Sequence, residues 1–442
     1  MQSRLRLLGG FAALCLFAFP SLAMAQESGS SIDTGDSAWI LTASALVLFM
    51  TIPGLSLFYA GLVRGMNVLS VLMHCFVITA LMSIIWLLFG YSMAFSTQGM
   101  EEGVTGLNAF IGGFDKVFLK GVTATTPWGT IPEPLFFVFQ MTFFVITPAL
   151  IVGAFVERMK FSAMLWFVGI WSIVVYLPIC HMTWGGAGGY FADRGVIDFA
   201  GGIVVHITAG IAALVVCIMV GKRRDYPKKA IMPHNLPMTI TGAGMLWVGW
   251  FGFNGGSALG ANGDAATAIL VTHISASAAT LTWMFIEWVR NGKPSVLGTV
   301  TGSIAGLAAI TPASGTVGPL GGLVIGTVSS LVCYLCCTKL KQKFHYDDSL
   351  DVFGVHGVGG FIGTILLAVF AAPMFGGRVE GLSIMDQLGT QSYAAILTAV
   401  YTLVATIIIL KVIKATIGLR VTDQDEISGL DLNEHDESAY NG

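Results

Sequence analysis

The chain runs to 442 residues, of which 11% are charged and 55% hydrophobic, with a net charge of −3 and a mean hydropathy of +0.79. Soluble domains carry about 25% charged residues, so there is too little polar surface here to keep a 46.8 kDa body in water. That excludes a cytosolic enzyme, a nucleic-acid binder and a disordered chain, and leaves an all-α polytopic membrane protein whose 55 glycines let helices approach closely.

The first 25 residues read as a signal peptide. Arg4 and Arg6 precede an apolar run from Leu7 to Phe19, and Ala23-Met24-Ala25 supplies the cleavage site. Stretches long enough to span a bilayer, about 20 mostly apolar residues, then follow at 38–62, 68–95, 132–156, 161–184, 198–221, 233–255, 264–289, 295–311, 317–338, 351–374 and 391–413. The segment 96–131 is the one long loop, and its Gly and Thr content predicts a folded cap. Residues 26–414 thus form one membrane domain, followed by a tail, 415–442. Eleven crossings that begin outside bring that tail into the cytoplasm. Lysine and arginine agree: 16 fall in the inner loops and tail, against Lys116, Lys120, Arg194 and Arg378 outside. Of the seven cysteines, Cys15 belongs to the signal and the others lie in apolar runs. Cys333 and Cys336 have C-x-x-C spacing without a second ligand pair, which reads as structural thiols.

Spans one to five and six to ten read as two halves of opposite direction plus an eleventh helix. Asp198 precedes His206 in the fifth span, and Asp351 precedes His356 in the tenth, both in glycine-rich settings. Inverted repeats place a site between the halves near mid-membrane, and ionisable groups inside spans are functional candidates. Two imidazoles meeting there can share one proton and pass on another. His74, His181 and His273 read as packing residues. Asp198 and Asp351 are expected to cap helix starts; a cation ligand is the alternative. Phe139 and Phe143 share a helix face, the sixth span carries Trp250, Phe253 and Ser257, and Trp184 ends the fourth. Aromatic faces attract a small cation by about 0.5–2 kcal/mol, although by spacing alone these rings are ordinary helix or lipid contacts.

The stretches His181-Met182-Thr183-Trp184-Gly185-Gly186, Asp198 through His206, Trp250-Phe251-Gly252-Phe253-Asn254, Asp351 through Gly360 and Gly429-Leu430-Asp431 together resemble the bacterial branch of the Amt/Mep/Rh ammonium transporter family. The resemblance implies a homotrimer in the bacterial inner membrane, each subunit having eleven helices and its own narrow pore. It implies an outer ammonium recruitment site at Phe139, Trp184 and Ser257, supported by Asp198. Below that it implies a gate at Phe143 and Phe253 and a pore lined by His206, His356 and Trp250. Ammonium would be deprotonated and pass as ammonia, with electrogenic return of the proton. The resemblance also implies a PII-type nitrogen-signalling partner at the cytoplasmic face, with no cofactor and no enzymatic activity. An ammonium sensor, or a transporter of another small amine, is the alternative. An enzyme would need a nucleophile or metal constellation, and neither G-x-S-x-G nor H-E-x-x-H occurs. Taken alone, the acidic tail reads as a solvated, mobile terminus; opposite charge suggests docking against Lys222, Arg223, Arg224, Lys228 and Lys229.

Overall fold

A chain in hydrocarbon must satisfy its backbone N–H and C=O groups within its own segments, so long apolar runs become helices. The computed structural model describes residues 31–229 and 231–440; the expected signal peptide lies outside the described residues. Its long helices are α1 (Thr34–Leu62), α2 (Gly65–Phe95), α3 (Glu133–Ala154), α4 (Phe161–Trp184), α5 (Gly202–Val220), α6 (Leu236–Gly256), α7 (Gly263–Asn291), α8 (Val296–Ile310), α9 (Pro319–Phe344), α10 (Phe353–Phe370) and α11 (Ile384–Thr416). Among the described residues nine are long and apolar enough to cross a membrane. The other two are α8, which is apolar but shorter, and the Gly- and Thr-rich α6.

Polar residues at the loop ends start these helices by accepting free backbone N–H groups. Asn235 accepts from Met238 N, Asn262 from Ala265 N and Ser295 from Gly298 N. The segment 96–131 is a cap of short turns closed by a two-residue antiparallel ribbon, β1 (Pro127–Trp128) with β2 (Ile131–Pro132). It is pinned at Glu133, whose carboxylate takes the Lys116 ammonium at 2.5 Å and the Tyr91 hydroxyl at 2.6 Å.

Helices α3 and α5 are mostly buried, whereas only a third of α7 and of α11 is covered. The open faces of these two show Leu281, Phe285, Val400 and Ile408, the surface a lipid environment accepts. At the centre α5 and α10 cross in opposite directions. A Cβ on Gly210 would fall 2.2 Å from Gly357 Cα, and one on Gly360 would fall 2.6 Å from His206 Cβ. No side chain other than hydrogen fits between these backbones, so the glycines fix the register. Both helices begin with a π-helical turn, Gly202–Ile207 in α5 and Phe353–Gly357 in α10.

The two capping expectations part here. Asp198 caps α5: its carboxylate accepts from Gly201, Gly202, Ile203 and Val204 N at 2.6–3.1 Å. Asp351 does not cap α10. Its backbone has φ of 58°, which turns its side chain to Lys341 at 2.7 Å. Asp348 takes the cap, accepting from Phe353 N at 2.7 Å.

The tail is also ordered rather than solvated. It forms α12 (Asp423–Ser428) and α13 (Leu430–His435). Leu430 N donates to Asn67 Oδ1, Ser70 N to Asp431 Oδ1 and Arg224 N to Glu426 Oε1, each at 2.7–2.8 Å; Arg420 pairs with Glu426. Tail docking thus proceeds largely through backbone donors. Arg223 is already held by Asp347 and Glu157, and Lys222, Lys228 and Lys229 remain exposed. Burial pushes the Glu157 carboxyl up, but Arg223 and Arg64 outweigh it and hold the group below its ordinary range.

Candidate functional site

The cavity on the side of the 96–131 cap, expected from the sequence to be the outer one, measures about 170 Å³ and is lined by Trp184, Ser257, Phe143, Gln140, Trp128 and Phe199, among others. Trp184 is held in place because its indole N–H donates to the Asp198 carbonyl at 2.8 Å. The Ser257 hydroxyl donates to Phe253 O at 2.8 Å, which leaves its oxygen free to accept from a ligand N–H. Asp198 does not line the cavity; it is buried, and its carboxylate is committed to the start of α5.

Phe139, expected among the recruiting rings, is fully buried and absent from the cavity wall. The reason is local. Gly256 has no side chain, and the Phe139 ring fills that space, 2.7 Å from where a Cβ would stand. One turn on, Phe143, itself buried, is the ring that reaches the cavity wall, edge-on to Trp184 at 5.8 Å. Below it, Phe143 and Phe253 lie 4.2 Å apart between centroids and close the cavity floor.

Beneath these two rings is a small chamber of about 10 Å³, room for about one water-sized molecule. His206, His356 and Trp250 supply the only polar side chains in a lining otherwise made by residues such as Ile146, Leu150 and Val205. His206 Nδ1 and His356 Nδ1 face each other at 3.2 Å. Trp250 stacks on His206 with centroids 5.6 Å apart and planes 22° from parallel. His356 also lines an inner vestibule of about 130 Å³ with Phe58, Tyr59 and Asp351. Both histidines sit in the π-helical turns, a feature frequent at functional sites.

Sequence reasoning missed Thr311, at the end of α8. Its Oγ1 accepts the Trp250 indole N–H at 2.9 Å and lies 3.3 Å from His206 Nε2. Nothing in the local pattern marks this threonine, because its partners lie far away in the chain. Gln140 and Trp128 were missed for the same reason. His181, expected to be a packing residue, is buried with both ring nitrogens 2.8 Å from backbone oxygens.

The sequence model of the Ammonium Transporter Family matches residues 38–440. The chain belongs to this family. An ammonium transporter of Aquifex aeolicus (strain VF5) is 46% identical over 435 residues, 98% of this chain and 99% of the relative. An ammonium transporter of Bacillus subtilis (strain 168) is 44% identical over 412 residues, 92% and 98%. Among solved structures, a sensor Amt protein superposes with a TM-score of 0.83 at 29% identity, covering 91% of this chain and 98% of that one. Candida albicans Mep2 gives 0.81 at 34%, covering 89% and 88%. As a family member the chain is a mostly helical, multi-pass membrane protein of ammonium transport.

Proposed function

We propose that this transporter recruits ammonium at the outer cavity, deprotonates it and conducts ammonia past the Phe143–Phe253 gate and the His206–His356 pair, the proton following electrogenically. The carrying observation is the sequence of environments: aromatic faces and a free hydroxyl oxygen outside, then a chamber whose only polar side chains are two imidazoles and an indole. An ammonium ion in that chamber would lose its hydration and meet no carboxylate, at a cost of several kcal/mol or more. Ammonia avoids the cost. Deprotonation also separates ammonium from potassium, which has no proton to give.

The same reading places all eleven long helices across the bacterial inner membrane, with the N-terminus outside after loss of residues 1–25 and the tail, 415–442, in the cytoplasm. The protein assembles as a homotrimer with one pore per subunit. A PII-type protein docks at the inner face, and deletion of 420–442 should impair its inhibition of transport or uncouple the subunits; unchanged binding and inhibition would overturn that part.

The deciding experiment is ammonium-evoked charge movement in proteoliposomes, with potassium as the control. Current with ammonium alone is expected, and His206→Phe or His356→Leu should abolish it or admit potassium. Wild-type current and selectivity in both variants would remove the histidines from the mechanism.

A further inference from the structure

The polar atoms around the histidine pair can be counted proton by proton. Thr311 Oγ1 lies 2.8 Å from Leu307 O, the carbonyl one turn back in its own helix. A helix carbonyl only accepts, so the single hydroxyl proton of Thr311 is spent there. An indole N–H only donates, so Trp250 occupies one of the two lone pairs of the same oxygen at 2.9 Å. One lone pair remains, and His206 Nε2 faces it at 3.3 Å.

The position of Thr311 is itself fixed. Phe199 N donates to the adjacent Pro312 carbonyl at 3.0 Å. Gly202, at the start of the helix that carries His206, packs so closely on Pro312 that a Cβ there would fall 2.5 Å from its ring. The corner 311–312 is therefore keyed to the segment leading into His206.

From this geometry we infer that Thr311 sets the tautomers of the pore histidines. His206 carries its proton on Nε2, donated to Thr311, and presents the Nδ1 lone pair to its neighbour. His356 then carries its proton on Nδ1, donated across the 3.2 Å contact to His206 Nδ1. That leaves one open acceptor in the pair, His356 Nε2, which has no protein partner among the described residues, on the residue that also lines the inner vestibule. The inference has a consequence for the proton relay that rests on the proposed transport function. A proton arriving from ammonium or hydronium on the vestibule side forms a bond at His356 Nε2. His356 Nδ1 releases its own proton to His206 Nδ1, and the positive charge then rests on His206, stacked on the Trp250 ring. A proton approaching His206 from the gate side meets an Nε2 that is already filled, so the proposed inward relay first requires the pair to take the opposite tautomers, at the expense of the Thr311 bond. Thr311 is thus a positioning residue: it decides which end of the pair accepts a proton.

The test is ¹⁵N nuclear magnetic resonance of histidine-labelled protein in lipid bilayers, with resonances assigned by comparing His206→Phe and His356→Leu samples. Wild type should show His206 protonated on Nε2 and bare on Nδ1, and His356 the reverse. In Thr311→Val, which keeps the shape and loses the oxygen, the tautomer ratio should shift by about fivefold, the population weight of one ordinary hydrogen bond. Thr311→Ser should restore it. A wild-type His206 protonated on Nδ1, or tautomers unmoved in Thr311→Val, would overturn the inference whatever happens to transport. Ammonium-evoked current in the same proteins tests the consequence separately: shifted tautomers with unchanged current would sink the relay role and leave the tautomer assignment standing.

Discussion

Asp198 and Asp348 each stand eight residues before one histidine of the buried pair and each starts the π-helical turn that carries it, yet they are treated differently. The Asp198 carboxylate receives four backbone N–H groups and no side-chain cation. Asp348 receives Phe353 N, while its Oδ1, although buried, has no partner among the described residues. Burial pushes Asp348 up to about 6, with Asp351 adding to the rise and Lys341 opposing it. One carboxylate is a satisfied cap whose charge is spread over helix dipoles. The other is a cap under tension, close to the acidity at which it takes up a proton. The difference lies in the donors: four backbone N–H groups hold the Asp198 carboxylate, whereas Asp348 leaves one buried oxygen over.

The sharpest way to break the comparison is to neutralise both. Asp198→Asn offers one oxygen and a donor amide where four N–H groups converge, so at least two lose their acceptor. At 1–3 kcal/mol for each unpaired buried group, the expected destabilisation is about 3 kcal/mol or more, measured by denaturant unfolding in detergent. Asp348→Asn should be neutral or stabilising at pH 7, because it removes a buried charge that the site does not fully pair. Equal losses in the two variants would end the distinction.

The inner carboxyl also predicts a pH dependence. A folded-state value of about 6 against an ordinary 3.8 means that the folded protein binds more protons than the unfolded chain between these limits. Stability therefore falls as pH rises from about 4 to about 6, by an amount of order 3 kcal/mol. The measurement is the difference between wild type and Asp348→Asn across that range, which cancels the other carboxyls. A flat difference would show that Asp348 is not the titrating group.

Much of this was legible in the chain. Span positions follow from the absence of charge over about 20 residues, and the two histidines announce themselves as ionisable groups in glycine-rich apolar runs. The spacing from Asp198 to His206 also points to Asp348 when carried eight residues back from His356. Asp351 draws the expectation instead because it lies at the edge of the apolar run, and only the backbone turn at 351 reveals that it faces Lys341. Phe139 and Phe143 share one helix face, so periodicity alone could not tell which ring reaches the cavity; the missing side chain of Gly256 decides. Thr311 was beyond reach, since its role exists only once α5, α6 and α8 are packed. For the tail, charge suggests both a solvated terminus and docking on basic side chains; it docks, but its carboxylates meet backbone donors such as Ser70 N and Arg224 N, which charge pattern alone does not show.

A smaller effect is expected at the outer cavity. Trp184→Leu removes one aromatic face from the cavity wall, and a cation–π contact is worth about 0.5–2 kcal/mol. The half-saturating ammonium concentration should rise by roughly two- to thirtyfold, with the unfolding pH profile unchanged because Asp348 is untouched. An unaltered concentration dependence in the combined Trp184→Leu and Ser257→Ala variant would point to a different entrance.

The finest adjustment concerns the charges around Asp348. Lys341 pairs with Asp351 at 2.7 Å, with side chains 14% and 32% exposed, and a partly exposed pair of this kind is worth no more than about 1 kcal/mol. Its influence on Asp348 is easier to see than its contribution to stability. The two partners act on that carboxyl in opposite senses, the ammonium lowering its value and the carboxylate raising it. Lys341→Met should therefore move the Asp348 midpoint upward from about 6, and Asp351→Asn should move it downward. Each is readable as a displaced pH window in unfolding or as a shifted carboxyl resonance. An unmoved midpoint in both variants would mean that burial alone sets the Asp348 value, and that the two aspartates differ in how many backbone donors they receive rather than in the charges that surround them.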